Sequence, residues 1–214
     1  MATGTKCQRS GILLFHNTTH LDDARLQAMC LEPLAGWRLD GLAVRVRYSR
    51  GAEFSGSCYY ATRRIFVNLG RHLVYPYRMG THLARARGDA RSWWKPVYTI
   101  ELQDACQVVL FVFLHECYHL LVRRARRNPR QKESMCDRFA ARVLVDHWGA
   151  AVHDEQGRPA PRQAWDFQDL DGFVAAARRQ PRRPAARRAR PPGPEPATQP
   201  GSPACGAQLL LFPL

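Results

Sequence analysis

Acidic residues are scarce in this chain: 18 Asp and Glu stand against 32 Lys and Arg, for a formal net charge of +14 at neutral pH. That imbalance points toward phosphate backbones as partners. A cysteine framework is also missing. The seven cysteines follow no regular spacing, which excludes a small disulfide-stapled scaffold and fits a reducing cytoplasm. Met1 to Gly11 is polar and lacks a long apolar run, so no secretory leader is expected. Only the stretch 105–122 approaches membrane-spanning length. It contains two His and a Glu, and no second span accompanies it, which argues against a membrane protein. No helix-turn-helix segment is visible. The 214 residues, 45% of them hydrophobic, leave enough chain for one compact core plus a tail.

Within the apolar stretch the chain reads His115-Glu116-Cys117-Tyr118-His119. Two histidines four residues apart share one face of a helix, so both imidazoles can reach one metal ion, and Glu116 then stands beside a water at that ion. Asp104 suits the start of such a helix. Arg123, Arg124, Arg126 and Arg127 suit its end, and Asn128-Pro129 stops it, so the expected span is about 103–127. A hydrolytic site takes three protein ligands and leaves one position open. A second helix, Gln131 to Trp148, can supply the third, with Met135, Phe139, Val143 and Leu144 as its apolar stripe and Gly149 as its cap.

On that second helix Glu133 and Asp137 share a face. Glu133 can bind the metal while Asp137 holds a ligand histidine through its free ring nitrogen. The bland reading makes both solvated surface acids paired with Lys132, Arg138 or Arg142. Cys117 and Cys136 suggest a thiolate site, but small buried residues are the plainer expectation.

H-E-x-x-H followed by E-x-x-x-D resembles the gluzincin metallopeptidases. The run Glu133-Ser-Met-Cys-Asp137-Arg-Phe139-Ala140 is similar to the E-x-x-A-[ND]-x-F-A stretch of the ImmA/IrrE-type peptidases, with Cys136 where those have Ala. The resemblance covers roughly residues 100–148. It implies an α+β, zincin-like fold: a small twisted sheet packed on the motif helix and the helix after it. It also implies zinc on His115, His119 and Glu133, with Glu116 as general base for peptide-bond hydrolysis. A further donor should stabilise the oxyanion; His72, Tyr75, Tyr77, His147 and His153 are the candidates.

Ahead of the motif, Leu42, Val44, Val46 and Tyr48 alternate with Ala43, Arg45 and Arg47, the pattern of a half-buried strand. Ser57 to Leu69 reads as a second strand, with Gly51 to Gly56 as the turn before it. The resemblance implies that this segment is an edge strand that takes substrate backbone by strand addition. A helix near His20 to Leu31 is expected to pack on the sheet. In 71–99, Tyr75, Tyr77, Trp93 and Trp94 are expected as satellite core rather than as a lid.

Residues 1–177 are expected to form the metallopeptidase domain and 178–207 a disordered, Pro- and Arg-rich linker. Arg178, Arg179, Arg182, Arg183, Arg187, Arg188 and Arg190 make the linker a basic arm suited to DNA. The last residues, 208–214, are apolar again. Gln208, Leu209, Leu211 and Phe212 resemble the Q-L-x-L-F peptide with which bacterial DNA-processing proteins hook onto the sliding clamp. A peptidase core, a basic arm and a clamp-type hook are similar in organisation to the Spartan-type proteases, which digest protein crosslinked to DNA, although those use a third histidine. The expected protein is a cytoplasmic or nucleoid-associated zinc peptidase acting on DNA-associated proteins. The alternatives are an ImmA/IrrE-like peptidase for one repressor, and a non-catalytic clamp- or DNA-binding module with a structural metal.

Overall fold

The computed structural model describes residues 14–37, 39–130 and 132–176. They form a mixed α+β fold with helices and several small sheets. The main sheet has four strands in the order β1, β2, β4, β3: Leu14–Asn17, Ala43–Tyr48, Arg64–Leu69 and Phe54–Tyr59. β1, β2 and β4 run parallel, and β3 is the antiparallel edge. The alternation on β2 is as the sequence suggests: Val44 and Val46 are buried, Arg45 and Arg47 exposed.

The single strand expected over 57–69 is instead a hairpin of β3 and β4, turning at residues 60–63. Tyr60-Ala61-Thr62-Arg63 offers none of the usual turn residues, and Arg63 itself takes the left-handed conformation at φ +51°. Gly56, expected in a turn, lies inside β3. A Cβ there would sit 2.5 Å from Glu116 Oε1 and 2.8 Å from Val112 Cγ1, so the glycine lets the edge strand pass directly over the motif helix.

α1 spans Asp23–Leu31 rather than starting at His20, because the Asp22 side chain accepts the Arg25 N–H and caps it there. α2 spans Ala105–Arg124 and is capped by Asp104, which accepts the Gln107 N–H at 2.9 Å. It ends three residues before the expected 127. Arg126 adopts φ +59°, its N–H reaches Arg123 O, and the Arg127 N–H reaches Val122 O. That pair of bonds closes a Schellman motif with arginine where glycine is usual. α2 alone among the described helices is long and apolar enough to cross a membrane, but 94% of its apolar window is buried inside the fold.

α3 spans Glu133–Trp148, starting two residues later than expected and ending at Gly149 in the left-handed region. Met135, Phe139, Val143 and Leu144 are buried, and the Phe139 ring lies 4.9 Å from that of Tyr118. A second sheet joins β5 (Tyr77–Thr81), β8 (Tyr98–Leu102) and β9 (Ala151–His153), while β6 (Arg87–Gly88) and β7 (Trp93–Trp94) form a small ribbon. On that ribbon Trp93 is 78% exposed and Trp94 47%, so these two are not satellite core. A two-residue ribbon has no apolar layer opposite it to bury them. Tyr75 and Tyr77 do pack against the core. Short helices α4 (Arg162–Trp165) and α5 (Leu170–Ala176) follow, and Tyr118 Oη donates to Leu170 O beneath α2.

Candidate metal centre

His115 and His119 lie one turn apart on α2 and are both buried. Their Nε2 atoms are 3.2 Å apart. Glu133, in the first turn of α3, brings Oε2 to 3.1 Å from His115 Nε2 and 3.5 Å from His119 Nε2. Tetrahedral ligands at about 2.0–2.1 Å from an ion are separated by about 3.3–3.4 Å along each edge. The three donor atoms therefore form a triangle of the size that one such ion requires.

Asp137 is held from two sides. Its Oδ1 lies 2.7 Å from His115 Nδ1, and its Oδ2 accepts the His82 N–H at 2.6 Å. With Nδ1 donating to Asp137, the Nε2 lone pair of His115 is turned toward the triangle. The surface-acid reading fails for Asp137, whose side chain is 3% exposed. Arg138 bonds to Leu83 O and Gln168 instead, and Arg142 pairs with Asp171.

The electrostatics match a site made for positive charge. Burial opposes a charged His115, but the bonds to Asp137 and Glu133 outweigh it and push its pKa up to about 10. Burial also works against a charged Glu133, yet hydrogen bonds from His115 and His119 hold its carboxyl well below the usual carboxylate range. Glu116 differs: burial raises its pKa, and the neighbouring histidines only partly offset this. A carboxyl whose protonated form is favoured in this way can take up and give back a proton.

Cys136, expected from the sequence to be a small buried residue, is buried, and its thiol joins the cluster. The ligand atoms of His115, His119 and Cys136 lie within 4.8 Å of one another, and this group can hold a metal ion. Glu133 and Cys136 thus compete as the third ligand. Glu133 Oε2 stands at 3.1 and 3.5 Å from the two Nε2 atoms, the spacing of donors that share one ion. Burial, followed by the charges of Glu133, Asp137 and Glu116, pushes the Cys136 thiol far up. Cys117 is buried as expected. His119 Nδ1 has no hydrogen-bond partner among the described residues.

The proposed oxyanion donors are not gathered here. Tyr77 Oη donates to Glu53 at 2.5 Å. Tyr75 has Asp104 and Cys106 as its electrostatic neighbours, at the start of α2 and about 16 Å along the helix from His115. His72 is exposed after β4, His147 is exposed in the last turn of α3, and His153 sits in β9 against Thr99. The residue that sequence reasoning missed is Tyr60. Gly56 and Cys58 face α2 from β3 through their pairing with Val67 and Ile65, and Tyr60 opens the turn that follows, with Cys58, Glu116, Cys136 and Glu133 as the electrostatic neighbours of its hydroxyl. The rim beside Glu133 is closed by Lys95, which donates to His82 O and to Ser134 Oγ.

The arm residues Arg178, Arg179, Arg182, Arg183, Arg187, Arg188 and Arg190, and the hook residues Gln208, Leu209, Leu211 and Phe212, lie outside the described residues. Comparison of the chain with protein-family models, with curated proteins and with solved structures found no match.

Proposed function

We propose that this protein is a zincin-like, zinc-dependent metallopeptidase that hydrolyses peptide bonds in DNA-associated proteins. The observation that carries the reading is the triangle of His115 Nε2, His119 Nε2 and Glu133 Oε2, with Glu116 beside it under Gly56. Zinc bound there supplies Lewis acidity, polarising a carbonyl and acidifying a water. Glu116 takes the proton from the attacking water and returns it to the leaving amine. Asp137 keeps His115 in the orientation and tautomer that ligation needs. The edge strand β3, rather than the whole of 57–69, would align a substrate backbone by strand addition. The basic arm 178–190 would hold DNA, and the hook 208–214 a bacterial sliding clamp.

The test is zinc content and cleavage of a DNA-binding test protein, with and without single-stranded DNA, for the wild type and Glu116→Gln. The variant is expected to keep its zinc and lose turnover; full activity in Glu116→Gln refutes the proposal. Removal of residues 208–214 is expected to abolish clamp binding.

One observation favours a second reading. With Cys136 beside the histidines, four protein groups are available, as in closed structural zinc sites. Cys136→Ala separates the two: it leaves zinc affinity intact in a three-ligand catalytic site and weakens it sharply in a closed one.

A further inference from the structure

The four-stranded sheet has a second face, pointing away from α2. Side chains alternate along a strand, so residues on this face line up in cross-strand rows. Leu14, Ala43, Arg64 and Tyr59 make one row, and His16, Arg45, Phe66 and Ser57 the next. Arg47, Asn68 and Ser55 make a third. Arg45, Arg47 and Arg64 are exposed, as are Leu14 and Tyr59. These rows contain no Asp or Glu, and none of the three arginines has a carboxylate partner among the described residues.

The face is ordered rather than merely charged. Tyr59 meets Phe66 edge to face at 5.3 Å. The Arg47 guanidinium lies 5.5 Å above the Phe66 ring, and its Nε donates to Asn68 Oδ1 at 2.6 Å. Asn68 in turn donates to Ser55 Oγ. Beside this cluster is an open concavity of about 530 Å³, with Leu14, Ala43 and Phe66 for a floor and His16, Arg45 and Arg64 around it. An acidic protein would use the guanidinium groups and leave the aromatic pair idle. A nucleotide strand uses both, with phosphates on arginines and bases on ring faces.

We propose that this outer sheet face binds single-stranded nucleic acid, stacking bases on Phe66 and Tyr59 and holding phosphates with Arg45, Arg47 and Arg64. The site is independent of hydrolysis and uses none of the arm residues 178–190.

The test measures binding of the full chain to fluorescent oligothymidylate, oligouridylate and a blunt duplex by anisotropy across salt concentrations. Tyr59→Ser with Phe66→Leu removes both stacking rings, and the expected result is single-strand affinity about ten-fold or more weaker. Arg45→Gln with Arg64→Gln is expected to make the salt dependence shallower by about 1.4 in log–log slope. Replacing the seven arm arginines with glutamine lowers overall affinity but leaves the ring dependence in place. Tighter binding of one oligonucleotide type identifies DNA or RNA as the ligand. Unchanged affinity in Tyr59→Ser/Phe66→Leu overturns the proposal, including the case in which another part of the chain covers the face. So does equal wild-type affinity for duplex. Should the double variant unfold, photocrosslinking of a halogenated oligouridylate to the wild type decides. Crosslinks at Tyr59 or Phe66 support the site, and crosslinks confined to the arm refute it.

Discussion

On β4, Ile65 and Val67 are fully buried, and Phe66 between them faces the other way among arginines. The same division runs along β2, where buried Val44 and Val46 alternate with exposed arginines. The inner face meets α2, which carries the histidine pair, and so serves both as core and as roof of the candidate metal centre. The outer face bears Arg45, Arg47, Arg64, Tyr59 and Phe66 and contributes little to the core. The comparison teaches that a period of two lets one short stretch of chain hold two separable chemistries, because a change on one face leaves the other in register.

That separation can be broken or sharpened by substitution. The largest effect is expected at Ile65→Ala, which empties a fully buried position and should cost about 2–5 kcal/mol. Its exposed neighbour Arg64→Ala should stay within about 0.5 kcal/mol; denaturant melts that fail to separate the two refute the division. Gly56→Ala comes next. The added methyl meets Glu116 Oε1 and Val112, so we expect a loss of about 1–3 kcal/mol and a fall in turnover, with zinc content unchanged. Asp137→Ala should weaken zinc binding by about 10–100-fold, read by competition with a chelator, while leaving oligonucleotide binding unaltered.

The smallest effect belongs to a charged contact on neither face. Asp146, at the surface, is held below its ordinary pKa by a hydrogen bond from Arg162. A depressed carboxylate stabilises the fold above its unfolded pKa, and that contribution fades as pH falls through the folded value. Arg162→Ala should therefore cost under about 1 kcal/mol at neutral pH. The gap between variant and wild type should close as the pH is taken below about 4.

Much of the site was legible because its signals are local. Asp104 as a cap, the i, i+4 histidines and the Glu133/Asp137 spacing each act within a turn or two, and α2 and α3 place them as the spacing implies. The hairpin was not legible, since the turn at 60–63 has no glycine, proline or Asx residue and depends on Arg63 accepting a positive φ. With that turn unseen, Tyr60 could not be placed near Glu116. Gly56 was misread for a related reason: its role is a close approach to a helix far along the chain, which no local pattern records. The position of Cys136 beside the histidines, and the exposure of Trp93 and Trp94, likewise depend on tertiary packing alone.

The four groups that would hold or orient a metal ion, His115, His119, Glu133 and Asp137, sit on two consecutive helices joined by a short loop. Closing so short a loop costs little chain entropy, whereas bringing β3 over Glu116 requires a contact far along the chain. A metal bound there would therefore reinforce the α2–α3 hairpin, whose contacts lie closer in sequence than those that bring β3 over Glu116. Native-state hydrogen exchange should show this as a cooperative unit: stripping the metal loosens α2 and α3 together, while the sheet beyond β3 keeps its protection.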